Sequence, residues 1–299
     1  MTKAQAWWQF TKERFEPASH LSMIVVFIMA HVLVARASAP LIASAMNNII
    51  LLIGVIAFYF KLRLYDEVKD YELDVVINKT RPLPRGLLNH KDMYRGMAIC
   101  IVIEIICFSL MGKESATSII IAIFYSLLMY KEFFIAEKIR PYLTTYALVH
   151  TIVTTLLSFA IFSFLTKLTI LEVIMTPAYL SFALASWLLF NIFEFGRKTF
   201  ASSEERQSVD TYSSLFGRTG AAILVASQAV ITYYLATTLT GVNLSILFWG
   251  LGILLILLAV LSLHYIFADS AKTAKRFRLF SSLYIIAYYL ILILSYLIA

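Results

Sequence analysis

Apolar stretches close to the roughly 20 residues needed to cross a bilayer recur along this chain with no long polar segment between them. They fall at about 20–37, 42–63, 93–112, 116–135, 142–165, 171–194, 217–238, 243–267 and 279–298. A backbone in lipid must satisfy its own hydrogen bonds, so apolar runs of this length are read as helices. The pattern predicts an all-α membrane protein with nine transmembrane helices. Composition agrees: 61% of residues are hydrophobic, only 14% are charged, and mean hydropathy is +0.82. Soluble domains carry about 25% charged residues. One membrane domain over residues 1–299 is expected, with no internal repeat.

Charge placement sets the expected sidedness. Of the 25 Lys and Arg residues, all but Arg36, Lys113 and Lys167 fall on one set of alternate loops and their flanking helix ends. Cytoplasmic loops carry the excess of Lys and Arg, so the N-terminus and loops 64–92, 136–141, 195–216 and 268–278 are expected on the cytoplasmic side. The net charge of +7 is therefore a topology signal, suited to anionic headgroups, and does not imply a nucleic acid partner. Residues 1–19 mix Trp7, Trp8, Phe10 and Phe15 with Lys12, Glu13 and Arg14, which suits a short interfacial helix. Cys100 and Cys107 are too far apart on one helix to bridge and are expected to pack as apolar residues.

The most informative polar stretch is DEVKDYELDVVINKTRPLPRG, residues 66 to 86. Asp66, Asp70 and Asp74 recur every four residues and so form one stripe on a helix. Stacked acids repel, and a hard divalent cation relieves that repulsion. Mg²⁺ binds through one or two carboxylates plus substrate phosphates. The stripe follows an apolar run without a break, so the helix is expected to continue past the membrane edge. Pro82 and Pro84 then stop it and stiffen a loop carrying Arg81 and Arg85, with Lys79 just before. Acid stripe and basic loop together point to a metal-bridged phosphate site; a solvated charged loop is the alternative. Glu67 and Glu72 lie off the stripe and are expected to be solvated or paired with Lys69 or Arg63.

A second charged cluster, NIFEFGRKTFASSEERQSVDTYSSLFG, closes the sixth span at residues 191 to 217. Asn191, Glu194 and Lys198 share a helix face, with Arg197 beside them. Glu204, Glu205 and Asp210 follow. The connection after the fourth span adds Lys131, Glu132, Lys138 and Arg140, whose cations suit either phosphate binding or topology. Three polar residues fall within spans, Glu104, His150 and Gln228, and intramembrane ionisable groups are functional suspects. Glu104 could orient or deprotonate an acceptor, or serve as a hydrogen-bonded link between helices. His150 reads as a satisfied core histidine or a site residue, and Gln228 as interhelical glue.

These motifs resemble those of the UbiA superfamily of intramembrane prenyltransferases. Its first motif runs N-D-x-x-D-x-x-x-D, followed by R-P-L-P-x-G. Here Asp66-x-x-x-Asp70-x-x-x-Asp74 is followed by Arg81-Pro82-Leu83-Pro84-Arg85-Gly86. Asp66 stands where the family has asparagine; Asp70 and Asp74 match its aspartates. The resemblance implies nine helices around a central cavity, and a membrane transferase of alkyl or aryl groups. It also implies Mg²⁺ held by the motif acids, gripping an isoprenyl diphosphate, with a hydrophobic or aromatic acceptor. It carries Asp66, Asp70 and Asp74 over as metal ligands; Asn191 and Glu194 are candidate co-ligands, and Lys79, Arg81, Arg85, Lys131 and Lys198 are the cations expected toward the diphosphate. The stripe acids and Glu104 are then the catalytic candidates. The second motif departs from the family's D-x-x-x-D: Lys198 replaces an acid, which implies one tightly bound metal rather than two. DTYSSLFG at 210–217 keeps the family's threonine-then-glycine ending. The sequence suggests a divergent bacterial-type branch in the inner or plasma membrane.

The chemistry fits. Metal and cations neutralise charge growing on the diphosphate leaving group. Aromatic faces among the 22 Phe, 17 Tyr and 4 Trp can shield an allylic cation. A terpene cyclase on the same fold remains an alternative. A transporter is less compatible, because the acids cluster at the cytoplasmic mouth and not the midplane. A CDP-alcohol phosphotransferase would need a D-G before its aspartates, which is missing here.

Overall fold

The computed structural model describes residues 1–38, 45–206 and 209–299, with the backbone only at Ala45. The expected start of the second span, residues 42–44, lies outside the described residues. Every regular element described is helical.

The chain opens with an amphipathic helix α1 (Lys3–Phe10), whose Thr2 hydroxyl accepts the Gln5 amide. It runs into a wider turn of π-type winding over Thr11–Phe15. Glu16 ends that turn in the left-handed region at φ 45, and Pro17 starts α2 (Pro17–Ser38), a position that suits proline's fixed φ. Next come α3 (Ala45–Lys69) and α4 (Tyr71–Ile77). After the charged loop, Asn89 and Asp92 form a reciprocal cap that starts α5 (His90–Ser109). Then follow α6 (Lys113–Tyr130), α7 (Ala136–Ile139), α8 (Leu143–Thr151) and α9 (Val153–Thr166). The remaining elements are α10 (Ile170–Met175), α11 (Pro177–Arg197), α12 (Tyr212–Leu235), α13 (Leu244–Phe267) and α14 (Ala271–Leu297).

Among the described residues, seven helical segments are long and apolar enough to cross a membrane, α8 and α9 counting as one. The segments expected as the third and fourth spans form the helices α5 and α6, which are not among those seven. Charge dilutes their hydropathy: Asp92, Arg95 and Glu104 fall in α5, Lys113 and Glu114 in α6.

Consecutive helices pack as neighbours, α3 on α5, α5 on α6, α12 on α13 and α13 on α14. α14 returns to α2, and α11 is the hub, touching α2, α8, α9, α12 and α14. The interior is aromatic. His31 is fully buried, and its ring lies 4.3 Å from Phe27 and 4.5 Å from Phe182. Tyr289 donates to the Ser186 hydroxyl at 3.0 Å, tying α14 to α11. The outer face is the reverse of a soluble protein: Trp249, Ile253, Ile256 and Val260 of α13 are all exposed. Such a belt would drive aggregation in water and is what lipid contact requires. Cys100 and Cys107 are buried free thiols, as expected.

Candidate active site

The acid stripe forms with one break. α3 ends at Lys69, and Asp70 sits at the joint with φ −87 and ψ 0. The turn-to-turn bonds nevertheless continue, Asp70 N–H to Asp66 O at 3.0 Å and Asp74 N–H to Asp70 O at 2.9 Å. The three carboxylates therefore stack, but their surroundings differ. Asp66 is part-exposed between Arg63 at 3.3 Å and Lys69 at 3.8 Å. Asp70 is the most open, with Arg81 at 3.8 Å. Partial burial, reinforced by the charges of Asp66 and Asp74, pushes its carboxyl above the usual range, against the pull of Lys69 and Arg81. Asp74 is buried and committed to Arg81 and to the Asn78 amide at 2.8 Å.

The loop after the stripe is held from below. Gly86 adopts φ 75, a left-handed conformation that glycine enters without strain. Leu83 N–H donates to Glu67 at 3.0 Å. Glu67 was expected to be solvated or paired with Lys69 or Arg63. It is instead fully buried, and its other oxygen accepts from Arg14 at 2.6 Å. Residues 53 apart in sequence make that pair, so local spacing carried no sign of it. Arg85 turns away from the stripe, donating to Glu13 at 2.9 Å and to Thr80 O at 2.7 Å. Lys79 is exposed.

The second motif faces the first. Asp66 lies within electrostatic reach of both Glu194 and Arg197. Glu194 is clamped by Arg197 at 2.5 and 2.9 Å and by Lys198 at 3.5 Å. Asn191 is fully buried in an uncharged knot: the Thr151 hydroxyl donates to its carbonyl, and its amide donates to Gln228 at 3.3 Å. Trp187 donates to Thr151 at 3.0 Å in the same knot. Gln228 thus acts as interhelical glue. Lys131 is exposed, 5.1 Å over the Tyr130 ring.

A third group, only partly singled out from sequence, borders the stripe. Lys69 lies 5.4 Å over the Tyr146 ring. Tyr146 O–H donates to Glu132 at 2.9 Å, and Arg140 donates to both Glu132 oxygens at 2.9 and 3.0 Å. Glu132, Phe133 and Phe134 all lie in the left-handed region, at φ 48, 54 and 57. Such strain in non-glycine residues clusters at functional sites. His150 stacks on Tyr146 at 3.9 Å and donates through Nδ1 to Tyr146 O at 2.7 Å, while its buried Nε2 has no partner among the described residues.

Glu104 does not stand alone. Lys61 of α3 donates to it at 2.5 Å, and both side chains are wholly excluded from solvent. The two residues lie 43 apart in sequence, so local spacing carries no sign of the pair. Beside the site, a cavity of about 90 Å³ opens between α2, α3, α11 and α14, with Tyr59, Arg63 and Phe190 in its wall. The Tyr59 and Phe190 rings are stacked 5.8 Å apart.

The five expected metal ligands do not converge. No cluster of three or more His, Cys, Asp or Glu among the described residues is arranged to hold a metal ion. Asp74, Asn191 and Glu194 are engaged elsewhere, as above. Asp66 and Asp70 do fit Mg²⁺: both are carboxylates, one turn apart and part-exposed, and Mg²⁺ takes one or two carboxylates with phosphate oxygens completing its shell.

The described residues thus form an all-helical bundle with an acid stripe and a proline-stiffened basic loop at one mouth. The sequence matches the UbiA prenyltransferase family over residues 22–287, and the chain belongs to that family. Among solved structures, one described under the biosynthesis of digeranylgeranylglyceryl phosphate synthase in membranes aligns with a TM-score of 0.64 and 13% identity, covering all of both chains. The apo structure of a UbiA homolog from Aeropyrum pernix K1 aligns with a TM-score of 0.62 and 13% identity, covering 93% of this chain and 97% of that one. At such identity these likenesses speak for the fold. Comparison with curated proteins finds no match.

Proposed function

We propose that this chain is a Mg²⁺-dependent prenyltransferase, moving an isoprenyl group from its diphosphate to a hydrophobic or aromatic acceptor within the membrane. On this reading it is one domain of nine spans, with α5 and α6 completing the seven, and with the N-terminus and charged loops cytoplasmic. The observation that carries the proposal is the open pair Asp66 and Asp70, with Asp66 in electrostatic reach of Glu194 and Arg197 and Asp70 beside Arg81.

Asp66 and Asp70 would hold Mg²⁺, which when bound supplies charge neutralisation on the diphosphate. Arg81 balances Asp74 and stands at 3.8 Å from Asp70, so its planar fork is placed to meet a phosphate at the same mouth. Lys79 and Lys131, both exposed, add positive field there. Lys198 bonds to Glu194 in the place of a metal-bound acid, which supports one tightly held ion. The aromatic interior excludes water from the allylic carbon as its bond to the diphosphate breaks.

The test is direct. Purified protein with Mg²⁺, labelled farnesyl and geranylgeranyl diphosphates and a lipid extract should give a labelled product that retains acceptor atoms by mass spectrometry. Asp70→Ala should abolish it while the protein stays folded in detergent. Near-normal turnover in that variant would remove the proposal, and a product free of acceptor atoms would indicate cyclisation instead.

A further inference from the structure

Three ion pairs bolt the N-terminal segment across the mouth of the bundle, and they are unlike one another. Lys3–Asp92 and Glu13–Arg85 each have a substantially exposed partner, and exposed pairs contribute little. Arg14–Glu67 differs: Glu67 is wholly buried, and Arg14 is itself largely covered. A buried carboxylate without a cation is strongly destabilising, and Arg14 is the cation paired with Glu67 among the described residues. The π-type winding of Thr11–Phe15 brings this arginine to that carboxylate, and such turns often mark functional sites.

The second oxygen of Glu67 accepts the Leu83 amide at 3.0 Å. Leu83 lies between the two prolines of the loop, two residues after Arg81. Neither proline offers an amide, so the Leu83 N–H is the tether available at the loop's centre. Arg81 in turn reaches Asp74 and Asp70. A continuous chain of contacts thus runs from Arg14 through Glu67 and Leu83 to the arginine at the acid stripe.

We propose that Arg14 is a positioning residue for the diphosphate site, acting through Glu67 and the Leu83 amide to hold the Arg-Pro-Leu-Pro loop where Arg81 meets the substrate. The inference rests on the prenyl-diphosphate reading given above. It makes the interfacial N-terminal segment a working part of the site and not only a membrane anchor.

The experiment compares wild type with Arg14→Ala, Arg14→Lys and Glu67→Gln, using Lys3→Ala as the control for an exposed pair. Amide hydrogen exchange at Leu83 reads the tether without any substrate. Titration with an unreactive isoprenyl thiolodiphosphate reads the site, and KM against kcat reads the consequence. Arg14→Ala should speed exchange at Leu83, weaken analogue binding about tenfold and raise KM for the diphosphate, with kcat within about threefold of wild type. Arg14→Lys should recover part of each, Glu67→Gln should resemble Arg14→Ala, and Lys3→Ala should match wild type. If Arg14→Ala does not fold, Arg14→Lys and Glu67→Gln carry the same comparison. Unchanged Leu83 exchange and unchanged analogue affinity in the folded variants would overturn the inference. Faster Leu83 exchange with unchanged affinity would also overturn it, since the loop would then be anchored without serving the site. A wild type that binds no analogue would overturn the prenyl-diphosphate reading itself, whatever the exchange shows.

Discussion

The Lys61–Glu104 pair allows a sharp test of whether an intramembrane acid serves chemistry or architecture. At 2.5 Å and with neither side chain reached by solvent, the gross attraction is about 6–7 kcal/mol at an effective dielectric constant near 20. Burial of each ion costs several kcal/mol, so the two contributions largely cancel. The Phe58 ring 4.3 Å from Lys61 Nζ adds about 0.5–2 kcal/mol. One Glu104 oxygen has no hydrogen-bond partner among the described residues, so the pair is not fully satisfied. Removing one partner leaves a lone buried charge, and Glu104→Gln or Lys61→Met should each destabilise by roughly 3–5 kcal/mol. Replacing both with apolar residues, Lys61→Met with Glu104→Leu, should return stability to within about 1 kcal/mol of wild type or above it. Thermal unfolding in detergent, run as a double-mutant cycle, measures the coupling. Turnover of the double variant then separates the roles: an architectural pair leaves it active, whereas a Glu104 that deprotonates the acceptor leaves it folded and inactive. Single variants as stable as wild type would refute the energetic argument, and a stable but inactive double variant would refute the architectural one.

Three further outcomes follow from particular contacts. Asp70→Asn should abolish turnover yet raise thermal stability in metal-free buffer at neutral pH, because the folded carboxyl is pushed above its usual range and its ionised form is disfavoured in the fold. The gain should vanish in acid, below the unfolded carboxyl value of about 3.9, where wild type is protonated in both states; a gain that persists there would contradict it. Glu204→Gln should lower stability by about 1 kcal/mol, because its hydrogen bonds from Arg278 at 2.8 and 2.9 Å hold the carboxyl below the usual range. That difference should be full above about pH 4.3 and fade as pH falls through the depressed value, as followed by melting temperature against pH. Gly196→Ala would set its new carbon 2.2 Å from Ser281 Cβ, so it should cost about 1–3 kcal/mol and reduce activity by pushing α11 off α14; wild-type melting and turnover would show that α11 and α14 can give way there.

Much of the fold was legible because lipid enforces a simple rule, apolar runs of a set length, and the helices follow those runs closely. The acid stripe was legible for a similar reason, since a four-residue spacing maps directly onto one helix face. What each acid does was not. Asp66, Asp70 and Asp74 look equivalent in sequence, and it is Arg81 and Asn78 folding back that take Asp74 out of the open set. Long-range partners were the blind spot. Glu67 meets Arg14, and Glu104 meets Lys61, and nothing in local spacing links them. The left-handed run at Glu132–Phe134 contains no glycine to announce it; its partners Arg140, Tyr146 and Tyr125 lie elsewhere in the sequence.

The knot joining Thr151, Asn191 and Gln228 has a consequence for how the molecule is put together. Helices in lipid gain little from apolar contact with one another, since the tails they displace are equally apolar. Three polar groups on α8, α11 and α12 that find each other at a single depth therefore act as a depth gauge, fixing how far each helix is sunk and how it is rotated. Helices inserted one at a time can form the knot only after α12 has arrived, long after the first motif is threaded. Glu194 lies one turn along from Asn191 on the same face, so the second half of the site takes its final orientation only when α12 docks.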